Sequence, residues 1–233
     1  MHAQNDLFSA TIPVTSSAQL IPAQTRESTR RLQRSEALRR VWHMFPGLLP
    51  FALAPLSYPR PLPWDFLVWV TVLTVMLTAA GMYFYRSIAR EGETHCMLNA
   101  ICFSLVTLPL LYLFPSHPEL AAVVMTVLTF GDGSATLFGL LFGKRTLPWN
   151  ASKTWVGFFS FFAFAMLPTT LAYWLIAKPV VSFEVATTIS VVSVLMGQVV
   201  ESISTPGRDN YRVGIAAACG VILSHTMLLG WPG

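Results

Sequence analysis

An aspartate flanked by glycines lies in the middle of an apolar stretch, at Gly131-Asp132-Gly133-Ser134-Ala135. An acid inside a membrane span costs roughly 2.5–3.5 kcal/mol on insertion scales, so it is normally retained for a purpose. Glycine on both sides would let a helix open and let backbone N–H groups approach an anion. A carboxylate beside such a turn suits a hard divalent cation, and magnesium takes one or two carboxylates plus phosphate oxygens. Gly143, Lys144, Arg145, Asn150 and Lys153 follow before the polar segment closes at Gly157. Their three cations would neutralise phosphates. The plainer alternative is that Asp132 pairs with a buried cation while the basic residues mark topology, which leaves the glycines unexplained.

A second polar segment, Val200 to Arg212, brings Glu201, Arg208, Asp209 and Asn210. Neither segment is a P-loop. Where G-x-x-x-x-G-K-[ST] needs its first glycine the chain has Phe138, and Arg145 follows Lys144. The pair Gly139 and Gly143 reads, taken alone, as a helix-packing motif. Glu36, Arg39, Arg40 and His43 fall at i, i+3, i+4 and i+7, which on a helix makes one polar stripe just before the bilayer. It serves equally as an interfacial turn with snorkelling arginines. Other polar residues read as structural. His225 is a packed or hydrogen-bonded residue rather than a ligand, and His95 and His117 sit at span ends. Glu184 marks a later helix start. The sequon Asn150-Ala151-Ser152 is expected to be unmodified in the cytoplasm. The run Phe158–Phe164 is expected to face lipid or a lipid substrate's chain.

The elements that must position these groups are membrane helices. Of 233 residues, 54% are hydrophobic and 11% charged, against roughly 25% charged in soluble domains. That excludes a disordered protein, a basic nucleic-acid-binding domain and an ordinary cytosolic enzyme. The expected fold is an all-α polytopic helical bundle of about seven transmembrane helices, placed near 41–57, 65–85, 96–114, 119–142, 155–176, 180–200 and 213–231. The first carries prolines that should kink or break it. With the N-terminus in the cytoplasm, 13 of the 15 Lys and Arg fall on the cytoplasmic side, and only Arg60 and Lys178 fall outside. Residues 1–35 are polar and read as a disordered tail without a signal peptide; residues 36–233 form one membrane-embedded catalytic domain. Cys96, Cys102 and Cys219 give no disulfide framework and no zinc motif.

Taken together, these segments resemble the polyprenol kinase family of dolichol, phytol and farnesol kinases, which is distantly similar to phosphatidate cytidylyltransferase. The matching stretches are Gly131 to Ala135, Gly143-Lys144, Lys153-Thr154-Trp155-Val156-Gly157, Val200-Glu201-Ser202 and Asp209-Asn210, with Glu36 through Gly47 resembling an early family motif. The match to cytidylyltransferases is partial. Val156 stands where their S-x-K-K-T-W-E-G stretch carries Glu, and their terminal Asp-rich signature is absent. The kinase side is favoured.

The resemblance implies a CTP-dependent kinase that phosphorylates a long-chain isoprenoid alcohol at the cytoplasmic membrane face. Nothing in the residues themselves separates CTP from ATP. In that reading Asp132 and Asp209 hold Mg²⁺, and Lys144 and Lys153, with Arg145 nearby, bind the triphosphate. Gly131, Gly133, Gly143, Asn150 and Asn210 line the nucleotide site, and Glu201 or an aspartate takes the alcohol's proton. Glu36, Arg40 and His43 are accessory. The expected partners are a nucleotide triphosphate, an isoprenoid lipid, which could be a phosphorylated alcohol, and the bilayer, with no nucleic acid. The competing readings are nucleotidyl transfer to a lipid phosphate and a transporter built on a broken fourth span.

Overall fold

The structure is a computed structural model and describes residues 41, 44–56, 58–86, 95–203 and 209–232. Among these, a 3-10 turn at Phe45–Leu48 leads into α1 (Leu49–Leu53). Then come α2 (Trp64–Arg86), α3 (His95–Leu113), α4 (Pro118–Thr126), a π-helical turn (Val127–Asp132), α5 (Gly133–Phe142), α6 (Trp155–Ile176), α7 (Phe183–Ile203) and α8 (Asp209–Leu229). A short hairpin, β1 (Thr146–Leu147) antiparallel to β2 (Asn150–Thr154), is the sheet among the described residues. The all-α bundle expected from the apolar runs is therefore what forms.

Local sequence sets the helix starts. Pro118 opens α4, where its missing N–H costs nothing, and Glu119 lies in the first turn. Thr154 caps α6: its Oγ1 accepts the Gly157 N–H at 3.1 Å. Helix α7 begins at Phe183 with Glu184 exposed in its first turn, later than the expected 180.

Four helices are long and apolar enough to cross a bilayer: Pro118–Phe142, Trp155–Ile176, Phe183–Ile203 and Asn210–Leu229. Trp64–Ala80 and Ile101–Leu113 are shorter apolar stretches within α2 and α3. The helix Pro118–Phe142, which joins α4, the π turn and α5, is the centre of the bundle. Its most apolar stretch is 78% buried, against 39% to 44% for the other three. Those three also turn apolar side chains outward, among them Leu167, Val199 and Met227, as a bundle in contact with lipid chains does. Helices α7 and α8 approach closely because Gly220 faces the Ser193 backbone, and Ser193 Oγ donates to Ala217 O at 2.8 Å.

The helices run up and down, so their connections sort to two ends. One end holds residues 58–63, 114–117 and 177–182, tied by Leu62 N–H to Pro115 O at 2.9 Å and by Arg60. The other holds the hairpin, the end of α7 and the start of α8. The first expected span, 41–57, is not one regular helix. Among its described residues, Pro46, Pro50 and Pro55 interrupt the helix, which gives way to the 3-10 turn at Phe45–Leu48 and the five-residue α1. This segment still passes along the central helix. Gly47 abuts Thr129, Met44 lies at Gly133, and Phe51 and Ala54 pack on Ala122 and Ile176 at the Arg60 end.

Candidate active site

The central helix widens where the acid sits. Residues Val127–Asp132 form a π turn, a device that places an extra residue per turn and often marks a functional position. Hydroxyls absorb the carbonyls that such a turn disturbs. Thr129 Oγ1 donates to Met125 O at 2.8 Å, and Thr126 Oγ1 donates to Val123 O at 2.8 Å. The backbone does not open as the flanking glycines suggested. Gly133 stays helical and its N–H is spent on Thr129 O and Phe130 O. Both glycines instead permit close packing. A Cβ on Gly131 would lie 2.7 Å from the Phe161 ring, and one on Gly133 would lie 2.6 Å from Met44. Phe161 is fully buried, so the run Phe158–Phe164 does not uniformly face outward; Phe159 and Phe164 do.

Three buried polar residues lie at one level, one turn further along. A Cβ on Gly197 would stand 3.0 Å from Val127 and 3.5 Å from Val213, so these residues share a level. The central helix and α7 run parallel and α8 runs against them. One turn beyond that level therefore come Asp132, Glu201 and Asn210, by helix pitch alone. Their exposures are 5%, 3% and 2%. The amide nitrogen of Asn210 has no hydrogen-bond partner, an arrangement that buried polar groups normally avoid. Gln198, also buried, donates to Phe158 O at 2.7 Å and fixes α7 against α6.

The hairpin closes over this level. Lys153 Nζ lies 2.6 Å from Glu201 Oε1, an ion pair across residues 48 apart in sequence. Asn150 Nδ2 donates to Ser202 O at 3.1 Å, and its Oδ1 accepts from the Ser152 hydroxyl at 2.7 Å. Trp149 Nε1 donates to Ser202 Oγ at 3.3 Å. The sequon asparagine thus anchors the hairpin to the end of α7. Lys144 and Arg145 are exposed beside β1. Asp209 is the first residue of α8, next to Asn210. Glu36, Arg40 and His43 lie outside the described residues.

The hairpin and α6 depend on glycine at two contacts. Gly143 ends α5 against Thr154, and Gly157 lies so near α5 that a Cβ would meet Ala135 O at 2.7 Å. Gly139 faces the same Thr154 and Gly157, as a helix-packing residue does. Gly157→Ala is therefore expected to destabilise the protein by about 1–3 kcal/mol, because backbone rather than a flexible side chain must give way. A lower thermal midpoint in detergent checks it.

A second polar cluster, at the opposite end, was not anticipated as a unit. Arg60 Nη1 donates to Glu119 Oε2 at 2.9 Å and to Ser116 O at 3.1 Å, and its Nη2 donates to Ile176 O. His117 Nδ1 lies 2.8 Å from Glu119 Oε1, and His225 Nδ1 lies 2.7 Å from the Tyr173 hydroxyl. Burial pushes the Tyr58 phenol above its ordinary pKa, against the pull of the Arg60 charge. Tyr58 therefore stays a neutral ring, 5.8 Å from both Arg60 and Lys178. His-Pro-Glu at 117–119 was the available sequence signal; its partners Arg60, Tyr173 and His225 are far away in the chain.

A model of the cytidylyltransferase family matches residues 14–203. The chain belongs to that family. It is 30% identical, over 95% of its length and 77% of the other's, to a protein of Triticum aestivum named probable phytol kinase, chloroplastic. Identity is 26% to probable phytol kinase 1 of Oryza sativa subsp. japonica and 27% to phytol kinase 1 of Arabidopsis thaliana. The chain spans about half the length of those two, covering 54% and 48%. No solved structure matches it. These relatives put the chain on the polyprenol kinase side of the cytidylyltransferase family. The donor set at the hairpin end fits a hard cation. It offers the buried carboxylates of Asp132 and Glu201 as hard oxygen donors, and the unpartnered Asn210 Nδ2 beside them is a hydrogen-bond donor for an anion.

Proposed function

We propose that this cytidylyltransferase-family chain is a membrane-embedded lipid kinase that transfers the γ-phosphoryl group of CTP to an isoprenoid alcohol of the phytol type. The names of the relatives support the alcohol kinase, and the resemblance supports CTP as donor. The observation that carries the reading is the convergence of Asp132, Glu201, Lys153 and Asn210 at one end of an otherwise apolar bundle. Asp132 and Asp209 would hold Mg²⁺, which neutralises the β- and γ-phosphates when bound. Lys153, positioned beside Glu201, would place its positive charge against the triphosphate. The exposed Lys144 and Arg145 draw the nucleotide toward the hairpin. The Asn210 amide donates to a phosphate oxygen. The alcohol oxygen attacks the γ-phosphorus as the bond to the β-phosphate oxygen breaks, CDP leaves, and Glu201 takes the hydroxyl proton. Chemistry of this kind needs positioning and charge neutralisation more than covalent help, and the residues supply both. The basic residues sort to this end, so we place it in the cytoplasm with the N-terminus.

The test is incubation of purified protein with prenyl alcohols and CTP or ATP labelled at either the α- or the γ-phosphate. Label reaching the lipid from the γ-position, with CTP preferred, is the expected result. Label from the α-position would instead mean nucleotidyl transfer to a lipid phosphate.

A further inference from the structure

The cluster at the opposite end combines donor atoms that a kinase site does not use. Glu119 is 1% and His225 is 3% exposed, while His117 is more open at 22%. His117 and Glu119 start α4 and His225 lies near the end of α8, so the group ties together elements more than a hundred residues apart. One ligand atom from each of His117, Glu119 and His225 lies within 4.8 Å of the other two. The two imidazole rings meet edge to face with centroids 4.8 Å apart.

The geometry points to a binding site for a zinc-class transition-metal ion held by His117, Glu119 and His225. Two imidazoles and one carboxylate are a donor set for such ions, whereas magnesium and calcium take oxygen. Tetrahedral zinc bonds of about 2.0–2.2 Å set ligand atoms roughly 3.3 Å apart. The His117–Glu119 separation of 2.8 Å is shorter than this and the 4.8 Å limit longer, so a small rotation of the partly exposed His117 ring brings the set to size. The outer contacts suit ligation. Tyr173 engages His225 Nδ1, leaving Nε2 for an ion, and Arg60 holds the second carboxylate oxygen of Glu119. Three protein ligands leave a fourth position for water. Arg60 already balances Glu119, so the ion is bound less tightly than at a centre with more anionic ligands, and it staples α4 to α8 rather than joining the kinase chemistry.

The experiment uses the full chain in detergent, with zinc and, separately, cobalt as probes. Wild-type protein dialysed against zinc should retain one ion per chain by elemental analysis and gain several degrees in thermal midpoint, a gain that a chelator reverses. With cobalt it should show the strong visible absorption of a tetrahedral site. His117→Ala, at the open edge, should lose both signals while still folding; Asp132→Asn should keep both. Zinc at the level of the buffer blank in wild type, or unchanged retention in His117→Ala, overturns the assignment and leaves a hydrogen-bonded lock. Loss of zinc in Asp132→Asn while His117→Ala retains it would also overturn it, by putting the ion at the other end.

Discussion

Asp132→Asn is expected to leave the bundle folded and to lower phosphoryl transfer by about 10³-fold, the scale of removing one electrostatic contact to a developing charge. The substitution keeps the side chain's size in a tightly packed position, next to Gly131 against Phe161 and Gly133 against Met44. It removes only the charge. A carboxylate 5% exposed within a membrane helix is costly to retain, so its charge is kept for a purpose, and activity should fall while the melting curve moves little. A large loss of activity with little change in the melting curve separates a cation ligand from a structural ion-pair member. Steady-state rates with the γ-labelled nucleotide, set beside a melting curve, check it.

The Lys153–Glu201 pair gives the second large effect. Lys153→Met removes the ammonium 2.6 Å from a carboxylate that is 3% exposed. Breaking a buried pair from one side typically costs about 3–5 kcal/mol, because a charge is left in a poor environment. The same change should reduce turnover by about 10²-fold through loss of a phosphate contact. The double variant Lys153→Met, Glu201→Gln should recover most of the stability, since no uncompensated charge remains, yet stay inactive. Recovery of both stability and activity in the double variant would make the pair structural. A double-mutant cycle read in both thermal midpoint and rate decides between them.

Much of this architecture was written in the apolar runs. Six of the seven expected spans fall on helices, because near-continuous apolar sequence between polar connections has few other solutions in a bilayer. The first segment shows the limit of that signal. Its composition reads as a span, but Pro46 and Pro50 break the helix, and only contacts with Thr129, Gly133 and Ala122 show that it still follows the central helix. Candidate site residues were legible by type and not by contact. Nothing local says that Lys153 meets Glu201, since their meeting depends on how α6 and α7 align through Gln198 and Phe158. Gly131 and Gly133 looked like hinges because glycine loosens an isolated helix; in the bundle, neighbouring side chains occupy the space that their missing Cβ atoms leave. The Arg60 cluster stayed hidden because its members come from four distant segments, each with an ordinary interfacial explanation.

The central claim is that the hairpin end holds a nucleotide-bearing divalent cation on Asp132 and Asp209. Manganese in place of magnesium makes the ion visible by electron paramagnetic resonance. Titrating it into wild type, Asp132→Asn and Asp209→Asn with CTP present measures the ion directly. The account predicts one tightly held manganese per wild-type chain and at least tenfold weaker binding in each variant, with unchanged circular dichroism. Equal manganese affinity in all three proteins would contradict it.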